Sequence, residues 1–139
     1  MTKKELSEKI QGLAHIGVMV SDLEVSKQFY IDILTMEVLH ENVVKADIGD
    51  VGVCFLKKGD MVIELVQMPE YDSSRKDGFV DHIAFRVKDI EGVRSALAEK
   101  GVNFIEDEIN HCEYLFSNGC KWIIFVGPDN ERLELNEIL

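Results

Sequence analysis

His15-Ile16-Gly17-Val18-Met19-Val20-Ser21-Asp22-Leu23-Glu24 and, sixty-seven residues later, His82-Ile83-Ala84-Phe85-Arg86-Val87-Lys88-Asp89-Ile90-Glu91 align without a gap. His, Ile, Val, Asp and Glu recur in register, so the chain carries an internal repeat. Each copy opens as a β-branched run with period-2 alternation and then meets an aspartate, Asp22 or Asp89, suited to capping the first free N–H groups of a helix. Ser21-x-x-Glu24 also reads as a capping box. Helical spacing follows: Leu23, Phe29, Tyr30, Ile33 and Leu34 share one side in the first copy, and Ile90, Val93, Ala96 and Leu97 in the second. Gly101 supplies a C-terminal cap.

Beyond each helix the pattern changes to short runs broken by turns: Val51–Lys57, Gly59-Asp60 and Met61–Gln67, then Lys121–Val126, Gly127-Pro128-Asp129-Asn130 and Arg132–Asn136. These predict hairpins. Asn118-Gly119 fits a further tight turn. Weaker strands over Glu37–Lys45 and Val102–Glu106 complete a βαβββ order in each half, with His111–Gly119 a loop or extra hairpin. The fold class is therefore α+β, with tandem βαβββ modules forming a curved mixed-sheet cup. Within this single domain, residues 1–12 read as a helical leader and 13–68 as the first module. Residues 69–79 form a polar linker and 80–139 the second module.

Composition narrows the partners. With 15 Lys and Arg against 26 Asp and Glu, the 139-residue chain has a formal net charge of -11. Such a field repels polyanions, so neither nucleic acid nor an anionic membrane surface is an expected partner. No apolar run reaches the roughly 18 residues of a membrane helix, and the first residues lack a signal-peptide core, so a cytoplasmic protein is expected. Cys54, Cys112 and Cys120 have no C-x-x-C spacing and read as reduced packing residues.

Single histidines and glutamates in strands are usually structural. Here both repeats carry the same pair: His15 and Glu64, 49 residues apart, and His82 and Glu134, 52 apart. Two curved sheets related by a pseudo-twofold axis would bring the four together. Converging carboxylates need a cation to stay ionised, and two imidazoles with two carboxylates suit nickel, cobalt, zinc, manganese or iron rather than copper(I). Period-2 counting puts Arg86 on the face of His82, and Arg132 and Asn136 on that of Glu134, as candidate substrate-binding residues. His40 and His111 read as surface histidines, Trp122 and Phe125 as packing residues that include a candidate pocket roof, and Glu106-Asp107-Glu108 as a solvated loop.

The paired His-Ile-x-x-x-Val-x-Asp-[Leu/Ile]-Glu segments, tandem βαβββ units and late Glu-Leu strands resemble the vicinal oxygen chelate superfamily over about residues 13–137, closest to members like glyoxalase I (lactoylglutathione lyase). That resemblance implies His15, Glu64, His82 and Glu134 as ligands of one divalent metal ion. It implies a lyase or isomerase acting on a 2-oxoaldehyde hemithioacetal or related α-hydroxycarbonyl by metal-stabilised enediolate proton transfer. Glu134 is the first candidate base and Glu64 the second. It also implies a homodimer whose cup closes within one chain or across two.

Alternatives on the same fold are an acyl-CoA epimerase and a non-catalytic ligand-binding or resistance protein. The epimerases carry Gln where Glu64 stands and an unligated Glu on the strand Val51–Phe55, whose nearest match is Cys54. The family's Leu-Gly-Met reads Leu34-Thr35-Met36 here, and its Asp-Pro-Asp-Gly reads Gly127-Pro128-Asp129-Asn130. No arginine stands among Gln11, Gly12 and Leu13 to hold glutathione carboxylates, which points to another thiol adduct or carbonyl substrate.

Overall fold

The computed structural model describes Lys4, residues 15–74, Val80, residues 82–113 and residues 117–139. The expected leader, Gln11, Gly12 and Leu13, and residues 75–79 of the linker lie outside the described residues, Lys4 apart. Along the chain run β1 (Ile16–Met19), α1 (Leu23–Asp32), β2 (Glu37–Ala46), β3 (Gly49–Lys58), β4 (Met61–Gln67), β5 (Ile83–Arg86), α2 (Ile90–Glu99), β6 (Asn110–Cys112), β7 (Cys120–Val126) and β8 (Arg132–Ile138). They form two four-stranded mixed sheets, ordered β1-β4-β3-β2 and β5-β8-β7-β6. In each, the first strand pairs in parallel with the last and the other pairings are antiparallel.

The helix starts follow the sequence. Asp22 caps α1 by accepting from the Val25 N–H at 3.0 Å, and Asp89 caps α2 by accepting from the Gly92 N–H at 3.2 Å. Ser21 lies outside the cap; its N–H donates instead to Asp129 Oδ2 of the second half at 2.9 Å. At the end of α2, Gly101 takes a φ of 82°, and the N–H of Val102 reaches back to the Leu97 carbonyl at 3.1 Å. Thr35, standing where the family has glycine, takes a φ of 51°.

Strand alternation divides each sheet into two faces. Ile63, Leu65, Cys54 and Leu56 of the first half and Ile83, Phe85, Leu133, Leu135, Ile123 and Phe125 of the second belong to one continuous buried cluster with Tyr30 and Ile90. A polar latch joins the halves. Fully buried Tyr30 donates its hydroxyl to Glu131 Oε1 at 3.1 Å, and Glu131 Oε2 accepts from the Asp129 N–H at 2.9 Å. Among the described residues, no helix is long and apolar enough to cross a membrane.

The strand expected over Val102–Glu106 does not form. Phe104 makes an isolated bridge with Phe125, the chain then departs from the ladder, and pairing resumes at Asn110–Cys112, inside the stretch read as a loop or extra hairpin. A side chain explains the interruption: Glu106 accepts the Ile124 N–H at 2.9 Å, a ladder donor on β7. Glu106 is therefore half-buried structure rather than solvated loop.

Candidate functional site

The faces turned away from the core carry the polar residues singled out above. On the first sheet, Glu64 lies opposite Gly17 on one side and Phe55 on the other, and Phe55 lies opposite His40. His15, one residue before β1, brings its Nε2 to 3.1 Å from Glu64 Oε2, and its ring meets the Phe55 edge with centroids 5.4 Å apart. Gly17 keeps this face open: a Cβ there would stand 3.6 Å from Glu64 Oε2. The second sheet repeats the arrangement. Glu134 lies between Ala84 and Ile124, and His82 Nε2 stands 3.4 Å from Glu134 Oε2. Asn136 donates its amide to Glu134 Oε1 at 2.8 Å, which holds the carboxylate with its other oxygen toward His82. The Glu134 side chain is only 10% exposed, against 23% for Glu64.

The chain thus builds two His–Glu half-sites. Convergence of all four into one cluster does not occur within it: among the described residues, no three His, Cys, Asp or Glu side chains gather closely enough to hold a metal ion. The reason is that both sheets direct their apolar faces into the shared core, so their polar faces are not brought together. The donor chemistry of each half does fit an ion. Two ligands on bonds of roughly 2.0–2.2 Å stand about 2.8–3.1 Å apart at a right angle and about 3.3–3.6 Å apart at a tetrahedral angle, and the two pairs, at 3.1 and 3.4 Å, fall within these ranges.

A cavity of about 540 Å³ opens over the second half-site, lined by His82, Ala84, Arg86, Cys120, Trp122, Glu134, Asn136 and Ile138. Arg86 and Asn136 lie where period-2 counting put them, whereas Arg132 is not among the lining residues. Cys120 and Trp122 were read as packing residues; alternation along β7 sets both on the polar face. Burial, reinforced by Cys112 and the Glu134 carboxylate, pushes the Cys120 thiol up, which suits packing rather than nucleophilic attack. Cys54, matched in sequence to the epimerase base, is fully buried on the core face. The neighbour of Glu64 on the polar face is Phe55. His40, read as a surface histidine, is exposed but within 6.4 Å of the Phe55 ring, on the half-site face. A bulge between Val38 and His40 sets that phase, and strand alternation alone does not reveal it.

Two mixed βαβββ sheets sharing a core, each with a His–Glu pair on its open face, define a protein of the vicinal oxygen chelate fold. A profile for the glyoxalase/bleomycin resistance protein/dioxygenase superfamily matches residues 14–116, and the chain belongs to that superfamily. It is 30% identical over 131 residues to the uncharacterized protein YwkD of Bacillus subtilis, covering 92% of this chain and 98% of that one. Among solved structures it resembles a glyoxalase family protein from Enterococcus faecalis, with a TM-score of 0.76, 26% identity and coverage of 93% and 99%. It also resembles the fosfomycin resistance protein FosX from Listeria monocytogenes, solved with Mn(II) and sulfate. There the TM-score is 0.68 at 23% identity, covering 94% of each chain.

Proposed function

We propose that the protein is a metal-dependent lyase or isomerase of the glyoxalase I kind, acting on a 2-oxoaldehyde hemithioacetal or related α-hydroxycarbonyl. The observation carrying this reading is the duplicated His–Glu pair, with matching donor separations on equivalent strands. His15, Glu64, His82 and Glu134 would hold nickel, zinc, cobalt or manganese, and that ion would supply Lewis-acid polarisation of two adjacent substrate oxygens. Because each chain brings the ligands together only in pairs, the full set is assembled from the first half of one chain and the second half of another in a homodimer. Exposed Val38, Leu39, Val43 and Val44 along β2 offer apolar surface for such a partner.

Glu134 is the proton carrier. Its carboxylate takes the proton from one carbon, breaking C–H and forming O–H, and returns it to the adjacent carbon, so no oxidant or reductant is consumed. Asn136 orients it through Oε1. His15 and His82 act as ligands only. Cys54 in the core and Phe55 on the open face leave an acyl-CoA epimerase without its unligated carboxylate base. A purely ligand-sequestering role does not account for two retained His–Glu pairs.

The test is turnover of methylglyoxal mixed with a panel of thiols, including glutathione, by protein loaded with nickel or zinc. Metal-dependent formation of a thioester with at least one thiol is expected. A loaded protein inert toward every adduct would overturn the assignment.

A further inference from the structure

The register of the second sheet arranges its open face as a grid. Ala84, Glu134 and Ile124 form one cross-strand row; Arg86, Asn136, Trp122 and Asn110 form the next; Ile138, Cys120 and Cys112 form a third. Rows on one face are two residues apart along each strand, roughly 6.5 Å. The middle row is made of hydrogen-bond donors and contains no carboxylate. Arg86 is exposed and makes no ion pair among the described residues, in a chain whose net charge is -11. Asn136 spends one amide hydrogen on Glu134. Asn110 closes the row with a buried amide nitrogen that lacks a hydrogen-bond partner among the described residues. The cavity of about 540 Å³ is lined by Arg86, Asn136 and Trp122 of this row, with Asn110 behind them, and is of the size small-molecule sites have.

We infer that Arg86, Asn136 and Trp122 of this row form an oxyanion-recognition strip, and that the substrate carries a carboxylate, phosphate or phosphonate about one row from the atoms handled by His82 and Glu134. A guanidinium beside neutral amide donors is the arrangement that binds such groups in a fork. Ile138 in the next row flanks the strip, and with the ring of Trp122 within it would cover the carbon skeleton. This deepens the functional proposal and rests on the cup being the substrate site; it names the substrate's charge and where that charge sits.

Trp122 is the single tryptophan of the chain, so its emission reports occupancy of the strip directly. Purified protein, both metal-free and zinc-loaded, would be titrated with benzoate, phenylphosphonate and the neutral benzyl alcohol. Saturable emission changes with the anions and none with the alcohol are expected, and the tighter anion identifies the preferred oxyanion. Arg86→Met should weaken anion binding roughly 10- to 100-fold in both forms, the scale of a charge-assisted hydrogen-bond pair, with Arg86→Lys intermediate. Arg86→Met within two-fold of wild type, or benzyl alcohol binding as tightly as benzoate, would overturn the inference. Because the metal-free titration involves no turnover, an Arg86-dependent anion site without methylglyoxal activity would refute the glyoxalase reading alone. Activity without Arg86 dependence would refute the strip alone.

Discussion

If the complete site is assembled from two chains, two crippled chains should repair one another. His15→Ala removes a donor from the first half-site and His82→Ala one from the second, so a homodimer of either variant has no complete four-donor set. Both histidine side chains are about 40% exposed and outside the buried core, so both variants should fold. Mixing the chains one to one by co-expression gives a random population in which roughly half the dimers are mixed under twofold symmetry. In each mixed dimer one site receives both altered halves and the other receives neither. Roughly a quarter of all sites are then intact, which predicts about a quarter of the wild-type tightly bound metal and methylglyoxal turnover. Elemental analysis after dialysis against a weak chelator reads the first, and a thioester assay the second. A mixture no better than either variant alone would show that each chain must supply all four ligands itself, and the two-chain assembly would fall.

Glu134→Gln should lower turnover by roughly 100- to 10,000-fold while weakening metal binding far less, since the amide keeps an oxygen donor and cannot carry a proton; rate retention in the metal-loaded variant would remove Glu134 as the base. Thr35 holds a β-branched side chain in the left-handed region, although Lys58 donates to its Oγ1 at 2.7 Å. Thr35→Asn, which tolerates that backbone, should raise stability by about 1 kcal/mol in urea unfolding, and a destabilised variant would contradict the strain argument. Burial, outweighing its hydrogen bonds, raises the Glu131 carboxyl above the ordinary carboxylate range. The folded protein then binds that proton more tightly than the unfolded chain. The associated stability is complete below the ordinary carboxylate range and is lost as pH rises through that range to the raised folded value. The stability of wild type minus that of Glu131→Gln should accordingly fall as pH rises from the ordinary carboxylate range through the raised folded value, and a flat difference would refute it.

The repeat beginning at His15 and His82 was enough to read the tandem βαβββ order, because duplicated strand-then-helix patterning depends on local alternation and capping. Asp22 and Asp89 cap as their chemistry requires, and Asn118-Gly119 and Gly59-Asp60 turn where backbone freedom allows. The recurrence of His and Glu was legible for the same reason, and equivalent positions of two copies acquire equivalent neighbours, so His15 meets Glu64 and His82 meets Glu134, although the sequence had suggested one cluster of four. The split of the expected Val102–Glu106 strand was not legible. A side-chain carboxylate from Glu106 captures a ladder donor, and no periodicity in the sequence registers that exchange.

Which faces meet was also beyond the sequence. Alternation tells which residues share a face, as with His82, Ala84 and Arg86, but it is silent on what that face confronts. That was decided by long-range packing. The apolar faces of both sheets and the buried Tyr30 close on one core, and the Glu131 and Asp129 turn latches the halves together. With the apolar faces so engaged, each half-site is left on an open face and the four donors stay as two pairs. The chemistry of the candidate ligands follows from local repetition, whereas their placement depends on contacts between residues about a hundred positions apart, such as Tyr30 and Glu131, which no short-range pattern encodes.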